Sequence, residues 1–260
     1  MEKRGKSGGM MLHYVEYDNG NPEWVVCLHA ICTGHFIFKG QLACLSEKFN
    51  VLLIDLPAHY GSGDVEVDYA DPFRHTTRLV LEVLDAVGIK KAHFVGISLG
   101  SIVAHTIMMH HPERVNRVVL GGAVIRFPTI SNRILAATLF LFPVLSHRFV
   151  FLSLMYYMMP KRHHLSVNRQ IWEGGRNIKR KAFIGWVRAL HTLDRVLPLE
   201  ALDQLEIPRL FISGEEDHSI LPGLLPYTDV SIIPGCGHMV NMEQADLFNQ
   251  KMMPFLMEEV

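Results

Sequence analysis

The segment His93-Phe94-Val95-Gly96-Ile97-Ser98-Leu99-Gly100 constrains this chain more than any other. An apolar, β-branched run passes into Gly-x-Ser-x-Gly and then directly into a helical pattern over Ser98 to His111. A strand that turns into a helix at one serine forces strained dihedrals on that residue. The residues two positions away must then be small, so that the strand and helix backbones can approach. Gly96 and Gly100 meet that need. The turn also aims the positive end of the helix at any oxyanion formed at the serine, the setting a nucleophile requires.

The rest of the chain repeats the alternation. Strands are predicted at Trp24 to Leu28, Val51 to Asp55, Ala92 to Ile97, Arg117 to Leu120, Arg209 to Ser213 and Val230 to Ile233, with Met11 to Tyr17 as an antiparallel edge. Helices are predicted at Phe36 to Lys48, Pro72 to Val87, Ser98 to His111 and Glu243 to Met257. Strands alternating with helices build a mostly parallel central sheet covered on both faces, the α/β class. From about Arg126 to Val196 the pattern is helical throughout. This divides the chain into a core of residues 1–125 and 197–260 and a helical cap inserted at 126–196.

Charge and cysteine usage narrow the function classes. With 25 Lys and Arg against 26 Asp and Glu, no overall field draws in nucleic acid or an anionic membrane, so a small, mostly uncharged ligand is expected. The N-terminal MEKRGKSGGMM has basic residues without an apolar stretch behind them, so the expectation is a cytoplasmic protein. Ile134 to Met159 is apolar, but Pro143 and the pair His147-Arg148 break it into pieces too short to span a bilayer. Cys27, Cys32, Cys44 and Cys236 follow no metal-ligand spacing and are read as free thiols. No metal or other cofactor is expected. Redox control is open only to Cys32 and Cys236, which flank candidate catalytic motifs.

A serine hydroxyl needs a base, and the base needs an acid to orient it. Leu210 to Asp217 ends a buried strand on a carboxylate, and Val230 to His238 ends the next one on an imidazole. The order Ser98, Asp217, His238 fits a sheet that gathers its ligand site at the carboxyl ends of its strands. Glu215 and Glu216 are read as solvated turn residues, and Gly121-Gly122-Ala123 offers no rival acid. Of 15 histidines, His75, His110, His111, His163 and His164 are read as surface or cap residues.

Together Leu28-His29-Ala30, Asp55-Leu56-Pro57-Ala58-His59, Gly96-Ile97-Ser98-Leu99-Gly100, Gly214-Glu215-Glu216-Asp217 and Gly237-His238 resemble the α/β-hydrolase superfamily, in particular its small bacterial capped serine esterases and lactonases. The resemblance implies an oxyanion hole from the backbone N–H groups of Ile31 and Leu99, with His29 and Ala30 shaping the loop rather than moving protons. Three departures stand out. His29-Ala30 replaces the usual His-Gly. Pro57-Ala58-His59-Tyr60 replaces Pro-Gly-x-Gly, with Gly61 and Gly63 as candidates to supply the turn. Only 21 positions separate Asp217 from His238, so a loop with at most a turn or two of helix is expected there. That leaves one flank of the sheet less covered, a place for lower stability or a homodimer contact.

Carboxylic-ester hydrolysis through an acyl-enzyme is the reaction these residues suit best, on small to medium apolar esters, lactones or thioesters. Two alternatives stay open. One is a carbon–carbon hydrolase or lyase with the same triad, needing cations such as Arg126, Arg133 and Arg148 to hold a carboxylated substrate. The other is a slow-turnover, hydrolase-like ligand receptor. From Leu139 to Phe142 and from Phe149 to Met159 apolar residues occupy nearly every position, so beyond packing within the cap these helices face either a dimer partner or a substrate tunnel. Phe140, Phe142, Phe151, Met155, Met158 and Met159 are the candidate pocket residues.

Overall fold

A computed structural model describes residues 2–5, 12–191, 193, 206–225 and 230–258, with side chains from residue 12 onward. Eight strands form one sheet: β1 (Glu2–Gly5), β2 (Tyr14–Tyr17), β3 (Trp24–Leu28), β4 (Asn50–Ile54), β5 (Ala92–Ile97), β6 (Val115–Gly121), β7 (Arg209–Gly214) and β8 (Val230–Ile233). Their order is β1-β2-β4-β3-β5-β6-β7-β8. All pairs from β4 to β8 are parallel, and β2 runs antiparallel to both β1 and β4. The edge predicted at Met11 to Tyr17 is the four-residue β2, with Met11 outside the described residues. The outermost β1 was not expected, because its Glu-Lys-Arg-Gly carries no β-forming signal.

Period-two alternation splits the sheet residues between two cores. Val26, Leu28, Leu52, Ile54 and Phe94 face one way and pack with Val80, Leu84, Ile102 and Ile107 from α2 (Pro72–Val87) and α3 (Leu99–His110). Val25, Cys27, Val51, Leu53 and Val95 face the other way. They meet Leu45 of α1 (Lys39–Lys48) and Phe248, Met252 and Leu256 of α8 (Ala245–Met257). Local signals fix the helix ends. Asp71 accepts the Arg74 N–H at the start of α2, Pro72 occupies its first position, and Gly88 at φ 87° closes it.

Between β6 and β7 the chain leaves the sheet, and the described residues there include the helices α4 (Thr129–Leu141), α5 (His147–Met158), α6 (Leu165–Gly175) and α7 (Arg180–His191). Residue 196, where the cap was expected to end, lies outside the described residues. Among the described residues no helix is long and apolar enough to cross a membrane. After β7 a single helical turn, Leu221–Leu224, stands where a longer helix was judged not to fit, and Pro226 lies outside the described residues.

Candidate active site

Ser98 sits between β5 and α3 with φ 51° and ψ −110°, a conformation that L-residues adopt only when the surroundings enforce it. The enforcing contacts are backbone contacts. A Cβ on Gly96 would come within 2.5 Å of the Gly100 carbonyl oxygen, and one on Gly100 within 2.0 Å of the Leu28 carbonyl oxygen. The Ser98 N–H donates to the Gly121 carbonyl at 3.0 Å, and Ser101 Oγ donates to the Ser98 carbonyl at 2.6 Å. Both ends of the strained residue are therefore held.

The turns after β7 and β8 deliver the partners. His238 Nε2 lies 2.9 Å from Ser98 Oγ, and its Nδ1 lies 2.7 Å from Asp217 Oδ2. The other Asp217 oxygen accepts Ser219 Oγ at 2.7 Å and the Ile220 N–H at 3.2 Å. Two glycines let the loops meet. A Cβ on Gly214 would lie 2.1 Å from the Cys236 carbonyl oxygen, and one on Gly122 2.6 Å from that of His238. Burial opposes charge on His238, but the charge of Asp217, its hydrogen bond and the charge of Glu243 outweigh it, so the imidazole pKa is raised. Burial works against the Asp217 carboxylate too. The charge of His238 and the hydrogen bonds from His238, Ser219 and Ile220 overcome it and lower its pKa. This arrangement can take a proton from a serine and store it on nitrogen beside an anion.

His29 is locked as a neutral donor–acceptor. Its Nε2 accepts the Leu56 N–H at 2.8 Å, which leaves the ring proton on Nδ1, 2.8 Å from the Ala30 carbonyl. Burial lowers its pKa further, opposed only in part by Asp55 and the Ala30 bond. The ring thus ties the Ala30 loop to the end of β4. Ala30 needs no left-handed backbone, since the positive φ in this loop falls on Cys32 at 57°. Leu99 opens α3, so its N–H has no acceptor within the helix, and Ile31 lines the same cavity as Ser98.

The turn after β4 corrects an expectation. Gly61 and Gly63 do not supply the left-handed residues; Ala58 (φ 65°) and Tyr60 (φ 36°) do, at the two positions where the family pattern has glycine. Gly61 serves close approach instead. A Cβ there would lie 2.5 Å from the His13 ring and 2.7 Å from an Asp55 oxygen. Asp55 accepts from His13 Nδ1, the His35 N–H and the Gly61 N–H, which pins this turn beside the loop after β3.

Two further side chains grip the His238 turn, and the sequence singles out neither for this role. Glu243, taken only as a helix start, accepts the Gly237 N–H on Oε2 and the Met239 N–H on Oε1, each at 3.0 Å. It thus holds the backbone on both sides of His238. His164, read as a surface or cap residue, is fully buried and places Nδ1 2.5 Å from Glu243 Oε2. Its Nε2 faces Glu216 at 3.2 Å, and Glu216 also pairs with Lys161 and His163 rather than with solvent alone. Spacing gave one usable hint, a carboxylate five positions after the candidate histidine.

Above Ser98 the cap closes a cavity lined by Ile134 and Leu135 of α4, Phe151, Leu154, Met155 and Met158 of α5, Met159, Ile171 of α6, and Phe183, Val187 and Leu190 of α7. Four of the six expected pocket residues therefore face it: Phe151, Met155, Met158 and Met159. Phe140 does not, being 82% exposed on the outer side of α4. Phe142 is buried but away from the cavity, edge-on to Phe183 at 5.7 Å. The thiols of Cys32 and Cys236 are buried and their pKa values are pushed up by that burial, which leaves them poor candidates for redox control.

The model of the α/β-hydrolase fold family matches residues 23–245, most of the chain. The chain belongs to that family. Curated relatives of this hydrolase include the 2-hydroxy-6-oxononadienedioate/2-hydroxy-6-oxononatrienedioate hydrolase of Burkholderia vietnamiensis, 28% identical over 95% of this chain and 91% of the relative. Among solved structures, the enol-lactonase from Burkholderia xenovorans superposes with a TM-score of 0.80 at 21% identity, covering 98% of the hydrolase and 100% of the lactonase. A thermophilic esterase from Thermogutta terrifontis gives 0.77 at 19% identity, covering 98% of each chain.

Proposed function

We propose that this hydrolase cleaves apolar carboxylic esters, or lactones and thioesters of similar size, through an acyl-enzyme on Ser98. Ser98 Oγ attacks the acyl carbon as His238 Nε2 takes its proton, and the charge shifts to the carbonyl oxygen facing the Ile31 and Leu99 N–H groups. Collapse breaks the bond to the leaving oxygen or sulfur, and His238 returns the proton to it. A water then gives its proton to His238 and attacks the acyl-enzyme, releasing the acid and restoring Ser98. Asp217 stays ionised throughout and stabilises the imidazolium.

One observation carries the choice of substrate. The wall of the cavity above Ser98 includes no Lys, Arg, Asp or Glu among the described residues. A dicarboxylate such as the one named for the Burkholderia vietnamiensis relative needs cationic partners once it is desolvated. Arg126, Arg133 and Arg148, the cap cations proposed for that role, are all exposed and absent from the wall. Methionines at 155, 158 and 159 suit apolar groups of varied shape.

The test is kcat/KM across p-nitrophenyl acetate, butyrate, hexanoate, octanoate and a succinate half-ester. Rates should rise from acetate, with each buried methylene contributing up to ~0.8 kcal/mol until the cavity is full. If the charged half-ester is the best substrate, the apolar-ester reading fails and carbon–carbon cleavage of a carboxylated diketone takes its place.

A further inference from the structure

The α4–α5 hairpin carries apolar residues on both sides, and its inner side is accounted for by the cavity. The outer side of the α4–α5 hairpin exposes Phe140 (82%), Val144 (78%) and Phe149 (59%) around the turn that joins the two helices, with Leu141 (40%) beside them. Large apolar groups clustered on one exposed tip mark a surface that meets something other than water.

Charge identifies what it meets. Between residues 126 and 191 lie eleven of the chain's 25 Lys and Arg but only one, Glu173, of its 26 Asp and Glu. The cap therefore carries a formal +10 and the remainder −11, a segregation that the overall −1 conceals. Arg148 stands next to Phe149 in the first turn of α5, and Arg180 donates to the carbonyls of Phe142 and Leu145 within the exposed turn. Two of the cations, Lys161 and Lys179, pair with Glu216 and Asp64 of the core. An isologous dimer formed tip to tip would bring two +10 caps together. A surface that combines negative charge with an apolar interior satisfies both features at once.

We infer that the α4–α5 tip docks the hydrolase on anionic lipid surfaces, with Phe140, Val144 and Phe149 entering the acyl boundary and the cap cations facing the headgroups. The docking is peripheral and reversible, and it does not depend on which bond Ser98 cleaves.

The experiment is co-flotation of the full chain with vesicles of phosphatidylcholine alone and with about one-third phosphatidylglycerol, at low salt and at about 0.15 M NaCl. The triple variant Phe140→Ser, Val144→Ser, Phe149→Ser runs beside it, with light scattering for mass and p-nitrophenyl butyrate turnover as a check on folding. The native chain should float with the anionic vesicles only, more weakly as salt rises. The triple variant should bind at least about tenfold more weakly while its turnover in solution stays unchanged. Failure to float with anionic vesicles at low salt overturns the inference, as does undiminished binding by the triple variant. A native dimer that the triple variant converts to a monomer also overturns it, because the tip is then covered by a second copy. If the triple variant does not fold, Phe140→Ser alone, the most exposed of the three, carries the same comparison.

Discussion

The nucleophile elbow and the cap are built to different tolerances. At the elbow, contacts run from backbone to backbone. Gly96 and Gly100 leave no room for a methyl group, and Ser98 is held at both N–H and C=O. In the cap, the wall of the cavity is mostly methionine, leucine, isoleucine, valine and phenylalanine side chains, which can repack. The first region fixes a few atoms within tenths of an ångström, as a proton transfer requires. The second fixes only a volume and a polarity, which is enough to choose among substrates by size and charge. The chemistry should therefore be brittle to substitution and the specificity plastic.

The largest expected effect is at the elbow. Ser98→Ala should remove turnover by a factor of at least about 10⁴ while the circular dichroism spectrum is retained, and a fluorophosphonate probe should then label nothing. Asp217→Asn should cost about as much, since it misorients the imidazole, whereas Glu215→Gln should leave kcat within about twofold. A fully active Ser98 variant would erase the contrast between the two regions.

Next is the pH profile. His238 must be neutral to accept the serine proton, and its pKa is raised. The fall of kcat/KM on acidification should therefore be centred above the ordinary imidazole value of about 6.5. Glu243→Gln removes one of the charges that raise it and one of the two acceptors that hold the loop. That variant should lower kcat roughly tenfold and move the acidic limb downward, with KM little changed. A lower kcat with an unmoved limb would make Glu243 purely a packing residue.

The smallest effects belong to the cap. Met155→Ala should shift the preferred acyl chain towards longer esters, changing ratios of kcat/KM about three- to tenfold with little loss on the best substrate. Should it abolish turnover on every ester, the cap would be part of the catalytic geometry and the two tolerances would merge into one.

The same difference decides what could be read from the chain. Gly96, Gly100 and Gly214 are legible because a backbone clash forbids any other residue, and the strands β5 and β7 that end at this edge follow from their buried apolar runs. The orientation of α4 is not legible. A helix that is apolar all round carries no phase, so Phe140 could not be told from Leu135, and the two point opposite ways. The turn at Ala58 and Tyr60 misled for a related reason. Side-chain types that disfavour positive φ stand there, and only the surrounding bonds to Asp55 and Ser62 explain why the backbone adopts it. His164 and Glu243 lie 79 positions apart, and no local pattern announces a contact at that range.

His238 rides on the turn after β8, which is four residues long and, among the described residues, pairs only with β7, at the margin of the sheet. Segments of that kind detach with far less free energy than the body of a domain needs to melt. Heating should therefore silence the hydrolase in two stages. A reversible loss of activity from fraying at β8 should come first, while far-UV ellipticity stays native, and cooperative collapse of the sheet should follow at higher temperature.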